Sequence, residues 1–398
     1  MKESDPFIYD VIVLGLGAAG SAAAYQLARR GARVLGIDQH SPPHSFGSSH
    51  GDTRITRLAI GEGAQYTPLV QRSHEIWREI EARTGEEILT VTGGLIISGP
   101  RRQATTHVAN FFENTLDAAR RFGIAHEMLD AREIRKRFPQ FNVRDNEVGY
   151  YEPDAGFLRP ENAIRAHLML ARRYGADLHI HERVLEFSPS ADAVAVKTDR
   201  GEYRARQLII AAGAWLPDFL APDLARDFTI TRQVLYWFEV NAPLERYAPG
   251  AFPVWIWELQ ERRNVIYGIP AIDGPAGGAK VATEQYESST TPEATEREVL
   301  VEEKHAMYEK LVMPYLPELG PRCVKAATCL YTATPDFHFV IDRHPRHPNV
   351  IVASPCSGHG FKHSAAIGEA LAGLALDGKS AIDLGAFTFE RFQAARER

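Results

Sequence analysis

Cysteine is scarce: Cys323, Cys329 and Cys356 are the three in 398 residues. So few, and an odd number, cannot staple a chain of this length, which excludes a secreted disulfide framework and leads us to expect a reducing compartment. A basic excess is also missing, with 45 Lys and Arg against 51 Asp and Glu and a formal charge of -6. That balance leaves no electrostatic footprint for nucleic acid or an anionic membrane surface. The apolar stretch 11–28 is interrupted by glycines early and by Ser21, Tyr25 and Gln26 late, so no membrane span is expected. The first ten residues hold Lys2, Glu3, Asp5 and Asp10 instead of a basic region leading into an apolar one. We therefore expect no secretory leader and a cytoplasmic location. Internal repeats and low-complexity tracts are absent.

What remains is ordinary globular material, 44% hydrophobic and 24% charged, long enough for two domains. Residues 9–15 form a branched apolar run that stops at Gly15, 18–30 read as a helix ending at Gly31, and 32–38 as a second strand. This βαβ unit carries Gly15-x-Gly17-x-x-Gly20 between its first strand and helix, with Asp38 closing the second strand. The glycines allow a tight turn, close approach of a pyrophosphate and helix packing, while the carboxylate suits ribose hydroxyls. NAD and FAD share this fingerprint. Residues 66–84, 104–122, 130–138, 161–174, 292–316 and 363–377 read as helices. Paired strands split at Gly93-Gly94 are expected over 88–98, further strands over 177–187, 193–198, 203–211, 324–342 and 350–354, and an aromatic antiparallel sheet over 228–267. The histidines His338, His344, His347, His359 and His363 match no zinc spacing, so no metal is expected, and neither is a serine hydrolase.

A second glycine-terminated strand, 203–213, ends near Gly213 and Trp215 and resembles the second flavin-contacting strand of FAD-dependent amine oxidoreductases. The stretch from Ser48 through Thr53 to Arg57, the loop Ser357-Gly358-His359-Gly360-Phe361-Lys362 and the string Cys329-Leu330-Tyr331-Thr332 extend the likeness. In order and content these motifs resemble the monomeric sarcosine oxidase and N-methyltryptophan oxidase family from Tyr9 to about Leu384. The resemblance implies FAD, bonded through Cys329 to the flavin 8α-carbon and held by Gly15, Gly17, Gly20, Asp38, Ser48, Thr53, Arg54, Gly213, Trp215 and the loop Gly358, His359, Gly360, Phe361 and Lys362. It implies Arg57 and Lys362 as the pair that holds a substrate carboxylate, Arg54 and His50 beside the flavin ring, and Lys280 as the lysine that stabilises superoxide. Tyr267 and Tyr331 match pocket aromatics. Two departures bear on substrate: Ile60 stands where sarcosine oxidases have a tyrosine, and Glu284 where they have a histidine. A less polar wall at Ile60 and an acidic Glu284 put sarcosine itself in doubt; Cys356 replaces an aromatic and has no functional account.

The expectation is therefore an α/β (mixed α+β) flavoprotein. Its Rossmann-like FAD-binding domain is assembled from 1–90, 151–225 and 326–398, and its substrate domain, built on an antiparallel sheet, from 91–150 and 226–325. The expected reaction is oxidation of an N-methyl or cyclic secondary amino acid with oxygen as acceptor, by a monomer whose partners are small molecules. A flavin amine dehydrogenase using another acceptor and a non-catalytic flavin-binding protein are the alternatives; a nicotinamide dehydrogenase leaves the C-terminal glycine loop and Cys329 unexplained.

Overall fold

Branched apolar residues that leave no polar face suit a strand covered on both sides, and the computed structural model has one at Ile8–Leu14. The structure describes residues 8–99, 107–259 and 264–392. Ile8–Leu14 lies between Val34–Asp38 and Glu202–Ile210 and is parallel to both. Asp177–Ile180 pairs in parallel beyond Val34–Asp38, and His347–Ser354 pairs in parallel with the end of Glu202–Ile210. Val184–Pro189, Val194–Thr198 and Val340–His344 complete an eight-stranded sheet through antiparallel pairs. Val11 and Val13 pack in one apolar cluster with the helices Ala18–Arg29, Thr67–Thr84, Pro160–Arg173 and Ser364–Asp377; Ile12 and Leu14 face a second cluster with Leu216, Leu224 and Phe389. Ala18–Arg29 and Ser364–Asp377 approach closely at Gly368, where an added Cβ would lie 2.4 Å from the Ala22 Cβ.

A second eight-stranded sheet runs, in spatial order, Leu319–Ala333, Thr229–Val240, Ala279–Thr283, Asn264–Ile269, Val254–Leu259, Gly94–Ser98, Val148–Glu152 and Glu127–Asp130. It is antiparallel except where Val254–Leu259 runs parallel to Gly94–Ser98. Period-two alternation sends Val234, Tyr236 and Phe238 into a core with Met307, Val312 and Tyr315, and sends Leu235, Trp237, Ala282, Cys329 and Tyr331 to the opposite face. A small third sheet joins Arg54–Thr56, Gly156–Leu158 and Leu89–Val91. Among the described residues no helix is long and apolar enough to cross a membrane.

Three expectations change. Leu89–Val91 and Gly94–Ser98 do not pair with each other: they belong to different sheets, because the chain turns at Gly93 (φ 75°). The helix expected over 292–316 shrinks to Val301–Met307 followed by one π-turn at Tyr308–Val312. Before it, the backbone is drawn onto a strand by Arg232, whose guanidinium donates to the Glu296 and Glu298 carbonyls. The strand expected over 177–187 is two strands, Asp177–Ile180 and Val184–Pro189. The helix expected over 104–122 is described at Phe111–Phe122; residues 100–106 lie outside the described part.

Candidate active site

One cavity of about 380 Å³ extends from Gly15 and Asp38, at the ends of the parallel strands, to Arg57, Glu62 and Lys362. At the strand end, Gly15 has φ 86° and its Cβ would lie 2.5 Å from the Ala211 carbonyl oxygen; a Cβ on Gly20 would lie 1.8 Å from the Gly15 oxygen. Both are glycine because backbone meets backbone there. Gly17 differs: an added Cβ would point into space, with Ser49 Oγ the nearest atom at 3.8 Å. It precedes a twelve-residue helix that has no side-chain cap, so unsatisfied N–H groups of the first turn border the cavity. An uncapped helix start with open space before it is what a pyrophosphate needs. Asp38 accepts the Leu16 and His40 N–H groups at 2.8 Å each, which fixes its carboxylate at the strand end. Trp215 lies with His40 and His44 beside it, and its Nε1 donates to Glu293 at 2.8 Å. These residues, with Gly213, fit the nucleotide half of FAD.

Midway along the cavity, the loop 47–54 is pinned from two sides. Lys280 Nζ donates to the Gly51 and Thr53 carbonyls, both at 2.8 Å, and lies 5.0 Å from the centroid of the Trp237 ring. The Arg54 guanidinium donates to the Thr53 and Ser48 carbonyls at 2.8 Å, and the Ser48 hydroxyl donates to the Leu330 carbonyl. Burial pushes Lys280 well below the ordinary lysine range, and Arg54 adds to the effect. Alternation along Ala279–Thr283 carries Lys280 and, just past the strand, Glu284 to the same wall as Tyr267 and Tyr331, whose hydroxyls are 3.3 Å apart. Burial raises both tyrosines.

At the far end three charged groups meet out of water. Arg57 and Glu62 are 2.5 Å apart with side chains 7% and 5% exposed, and Lys362 Nζ stands 3.6 Å from Glu62. Burial alone would raise the Glu62 carboxyl, but Arg57 and then Lys362 outweigh it and hold it well below the usual carboxylate range. Burial lowers Lys362 to about 8 against the opposing pull of Glu62. Lys362 also donates to the His359 carbonyl at 2.7 Å, within the turn made by Ser357 (φ 42°) and Gly358 (φ 85°). Behind Arg57, Glu152 accepts the Leu58 and Ala59 N–H groups at 2.5 and 3.1 Å and so braces the backbone that presents the guanidinium.

The structure thus brings to one cavity Gly15, Gly17, Asp38, Ser48, Thr53, Arg54, Arg57, Gly213, Trp215, Tyr267, Lys280, Glu284, Tyr331 and the loop from Gly358 to Lys362. Four other candidates do not border it. Gly20 packs under Gly15. Ile60 is fully buried in the helical core cluster, which takes it off the pocket wall that the sequence suggested. His50 is buried with Nε2 unpaired among the described residues, and burial, with Arg54 and Lys280, drives it down to about 3. Cys329 is 1% exposed, on the same sheet face as Tyr331, and burial raises its thiol. Sequence reading missed Glu62 and His107, which both border the cavity; Glu62 follows Arg57 closely enough to have been found, whereas nothing marked His107. The string Gly47-Ser48-Ser49-His50-Gly51 does spell the hydrolase Gly-x-Ser-x-Gly, but it lies in a loop and not at a strand-to-helix turn.

Known proteins resemble this chain over most of its length. A family model described as FAD dependent oxidoreductase matches residues 10–374. Monomeric sarcosine oxidase of Streptomyces avermitilis is 46% identical over 97% of this chain and 98% of its own. N-methyl-L-tryptophan oxidase of Escherichia coli is 36% identical over 97% and 100%. Among solved structures, the open form of NikD, an amino acid oxidase of nikkomycin biosynthesis, superposes with a TM-score of 0.81 at 24% identity, covering 96% of this chain and 97% of that one. L-proline dehydrogenase from P. horikoshii gives 0.80 at 20% identity over 98% and 99%. At these identities the two structures are alike in fold.

Proposed function

The chain belongs to the FAD dependent oxidoreductase family, and from that premise we propose that it oxidises a secondary amino acid, N-methylated or cyclic, at the carbon next to nitrogen. The relatives named sarcosine oxidase and N-methyl-L-tryptophan oxidase support the substrate class. The observation that carries the reading is the buried cation pair Arg57 and Lys362, closed on an internal carboxylate, Glu62, in the same cavity that Gly15, Gly17 and Asp38 border. Two cations against one anion leave room for one more carboxylate, and an arginine fork beside a lysine is a specific receptor for it.

Held along the cavity by Gly15, Gly17, Asp38 and Trp215, FAD would supply a two-electron acceptor for the hydride, with oxygen as the final acceptor giving hydrogen peroxide and the imine product hydrolysing in water. Arg57 turns from Glu62 to the substrate carboxylate, and Lys362 completes the grip. Arg54, fixed by two carbonyls, adds positive charge beside the reacting centre and with Arg57 and Lys362 favours the neutral amine, the form that can release hydride. Tyr267 and Tyr331 wall the pocket against water. Lys280, on the cavity wall, would serve the oxygen half-reaction, and Cys329, which is off that wall but on the sheet face that carries Tyr331, would be the point of flavin attachment. In this reading the chain acts as a cytoplasmic monomer, with the FAD-binding and substrate domains divided as the sequence suggests.

The test is anaerobic addition of sarcosine, N-methyltryptophan, pipecolate and proline to the purified protein while following the flavin absorbance band. Bleaching by one of them, and peroxide on admitting air, are expected. A flavin reducible by dithionite but by none of these amines would refute the substrate class. Acid precipitation tests the attachment: a yellow pellet is expected, and a colourless one with free flavin in the supernatant would refute the role of Cys329.

A further inference from the structure

His107 borders the cavity just before the helix Phe111–Phe122, and the steps above make no use of it. Its side chain is 6% exposed, and Nδ1 lies 2.6 Å from Glu284 Oε2. An ionised carboxylate only accepts, so Nδ1 carries a proton and donates to Glu284. Nε2, also buried, has no hydrogen-bond partner among the described residues. Orphaned buried polar atoms are rare, and because His107 borders the cavity a group that enters there can complete this one. The ring cannot easily swing away, since it stacks on His359 with centroids 6.3 Å apart and is flanked by Phe337 and Tyr286 at 5.5 and 5.7 Å.

The ring's charge state follows from its surroundings. Burial disfavours a charged ring, but Glu284, and more weakly Glu62, outweigh burial and the repulsion of Lys362, and the pKa of His107 is raised. A raised pKa favours the imidazolium, the form in which both nitrogens are donors. In the proposed reading Arg57 and Lys362 meet the α-carboxylate, which leaves this third donor to a different oxygen.

We infer that His107, oriented by Glu284, is a specificity residue whose Nε2–H donates to a carboxylate or carboxamide oxygen at the end of the substrate's side chain. The inference rests on the secondary amino acid reading and narrows it to N-substituted amino acids bearing a second oxygen acceptor. Glu284, which from sequence suggested attraction for a cation, here acts through the imidazole.

The test compares N-methylglutamate and N-methylglutamine with N-methylnorleucine, which lacks the acceptor. One measurement is kcat/KM; the other is the dissociation constant of the matching thioether analogues, with sulfur in place of nitrogen, by calorimetry. A charge-assisted hydrogen bond predicts a preference of about 10- to 100-fold for the acceptor-bearing compounds in both readouts. His107→Phe is expected to bring the ratio close to one, and His107→Gln, which keeps an N–H donor, to retain part of it; the ratio of the glutamate to the glutamine compound tells which oxygen is preferred. Flavin content and melting temperature report whether each variant folds, and if His107→Phe does not, the wild-type ratio and His107→Gln decide. A wild-type ratio near one, or a ratio that survives His107→Phe, overturns the inference while equal reduction by all three compounds leaves the amine oxidase reading intact. Failure of every compound to reduce the flavin overturns both.

Discussion

Replacing Glu62 by glutamine isolates the internal anion, because the amide keeps the shape and removes the charge. Arg57 and Lys362, 2.5 and 3.6 Å from that carboxylate, are left facing each other without a counter-ion in a site almost closed to water. Removing one partner of a buried ion pair costs about 3 to 5 kcal/mol, and the retained amide places this variant near the lower figure. With an unfolding entropy of about 2.1 cal/mol/K per residue, 398 residues give roughly 0.8 kcal/mol per degree. The ligand-free variant should therefore melt about 4 °C below the wild type. Binding should move the other way. In the wild type a carboxylate ligand has to displace Glu62 from Arg57; in the variant it restores the missing anion, a gain of one charge-assisted hydrogen bond worth about 1.5 to 3 kcal/mol, or roughly 10- to 100-fold in Kd. Titration with (methylthio)acetate, which cannot be oxidised at nitrogen, followed by calorimetry and by thermal melting, reads both effects. A tighter ligand that abolishes the melting deficit is expected. A variant that folds, binds flavin and holds the ligand no better than the wild type would show that Glu62 does not compete for Arg57.

Lys280→Met should slow reoxidation of the reduced flavin by roughly 100-fold while reduction by substrate changes far less, as stopped-flow measurement of the two half-reactions would show; equal slowing would contradict the role given to this lysine. Carboxylate affinity should fall as pH rises through about 8, because Lys362 binds as the ammonium and its pKa is depressed to that value in the free protein. Lys362→Arg should move the decline upward, and a pH profile left in place would assign it to another group. Gly17→Ala should fold but carry less flavin, judged from the ratio of flavin to protein absorbance, since its Cβ meets nothing closer than 3.8 Å and occupies the space before the helix. Gly20→Ala should give little folded protein, because its Cβ would overlap the Gly15 carbonyl at 1.8 Å.

The dinucleotide end was readable because its requirements are local: Gly15, Gly17, Gly20 and Asp38 lie within one βαβ unit, each with a steric or hydrogen-bonding reason visible in the motif. Arg57, Lys280 and Lys362 were reached by resemblance, not by periodicity, since a cation in a cavity and a cation on a surface look alike in sequence. His107 was invisible for a related reason: its meaning comes from Glu284, far along the chain and in another element. Ile60 failed in the opposite sense, since an apolar residue suits a pocket wall and a core equally, and here the core cluster took it. The charged stretch before Val301 was misread as helix because Arg232 holds carbonyls that a helix would have used itself. The separation of Leu89–Val91 from Gly94–Ser98 was hidden because a two-glycine break can mark a hairpin or a change of sheet.

Arg54 and Arg57 stand at the two ends of one short strand, Arg54–Thr56 and the residue after it, whereas His107 and Glu284 are delivered by two unrelated segments. On the proposed reading, a change that shifts this strand moves the charge beside the reacting centre and the carboxylate grip together, which leaves descendants of this sequence little freedom there. The other wall carries no such obligation. If His107 and Glu284 read the substrate's side chain as inferred, substitutions at 107 and 284 would re-aim the enzyme while the chemistry is inherited intact, and that wall would be where one scaffold diverges into enzymes for different amines.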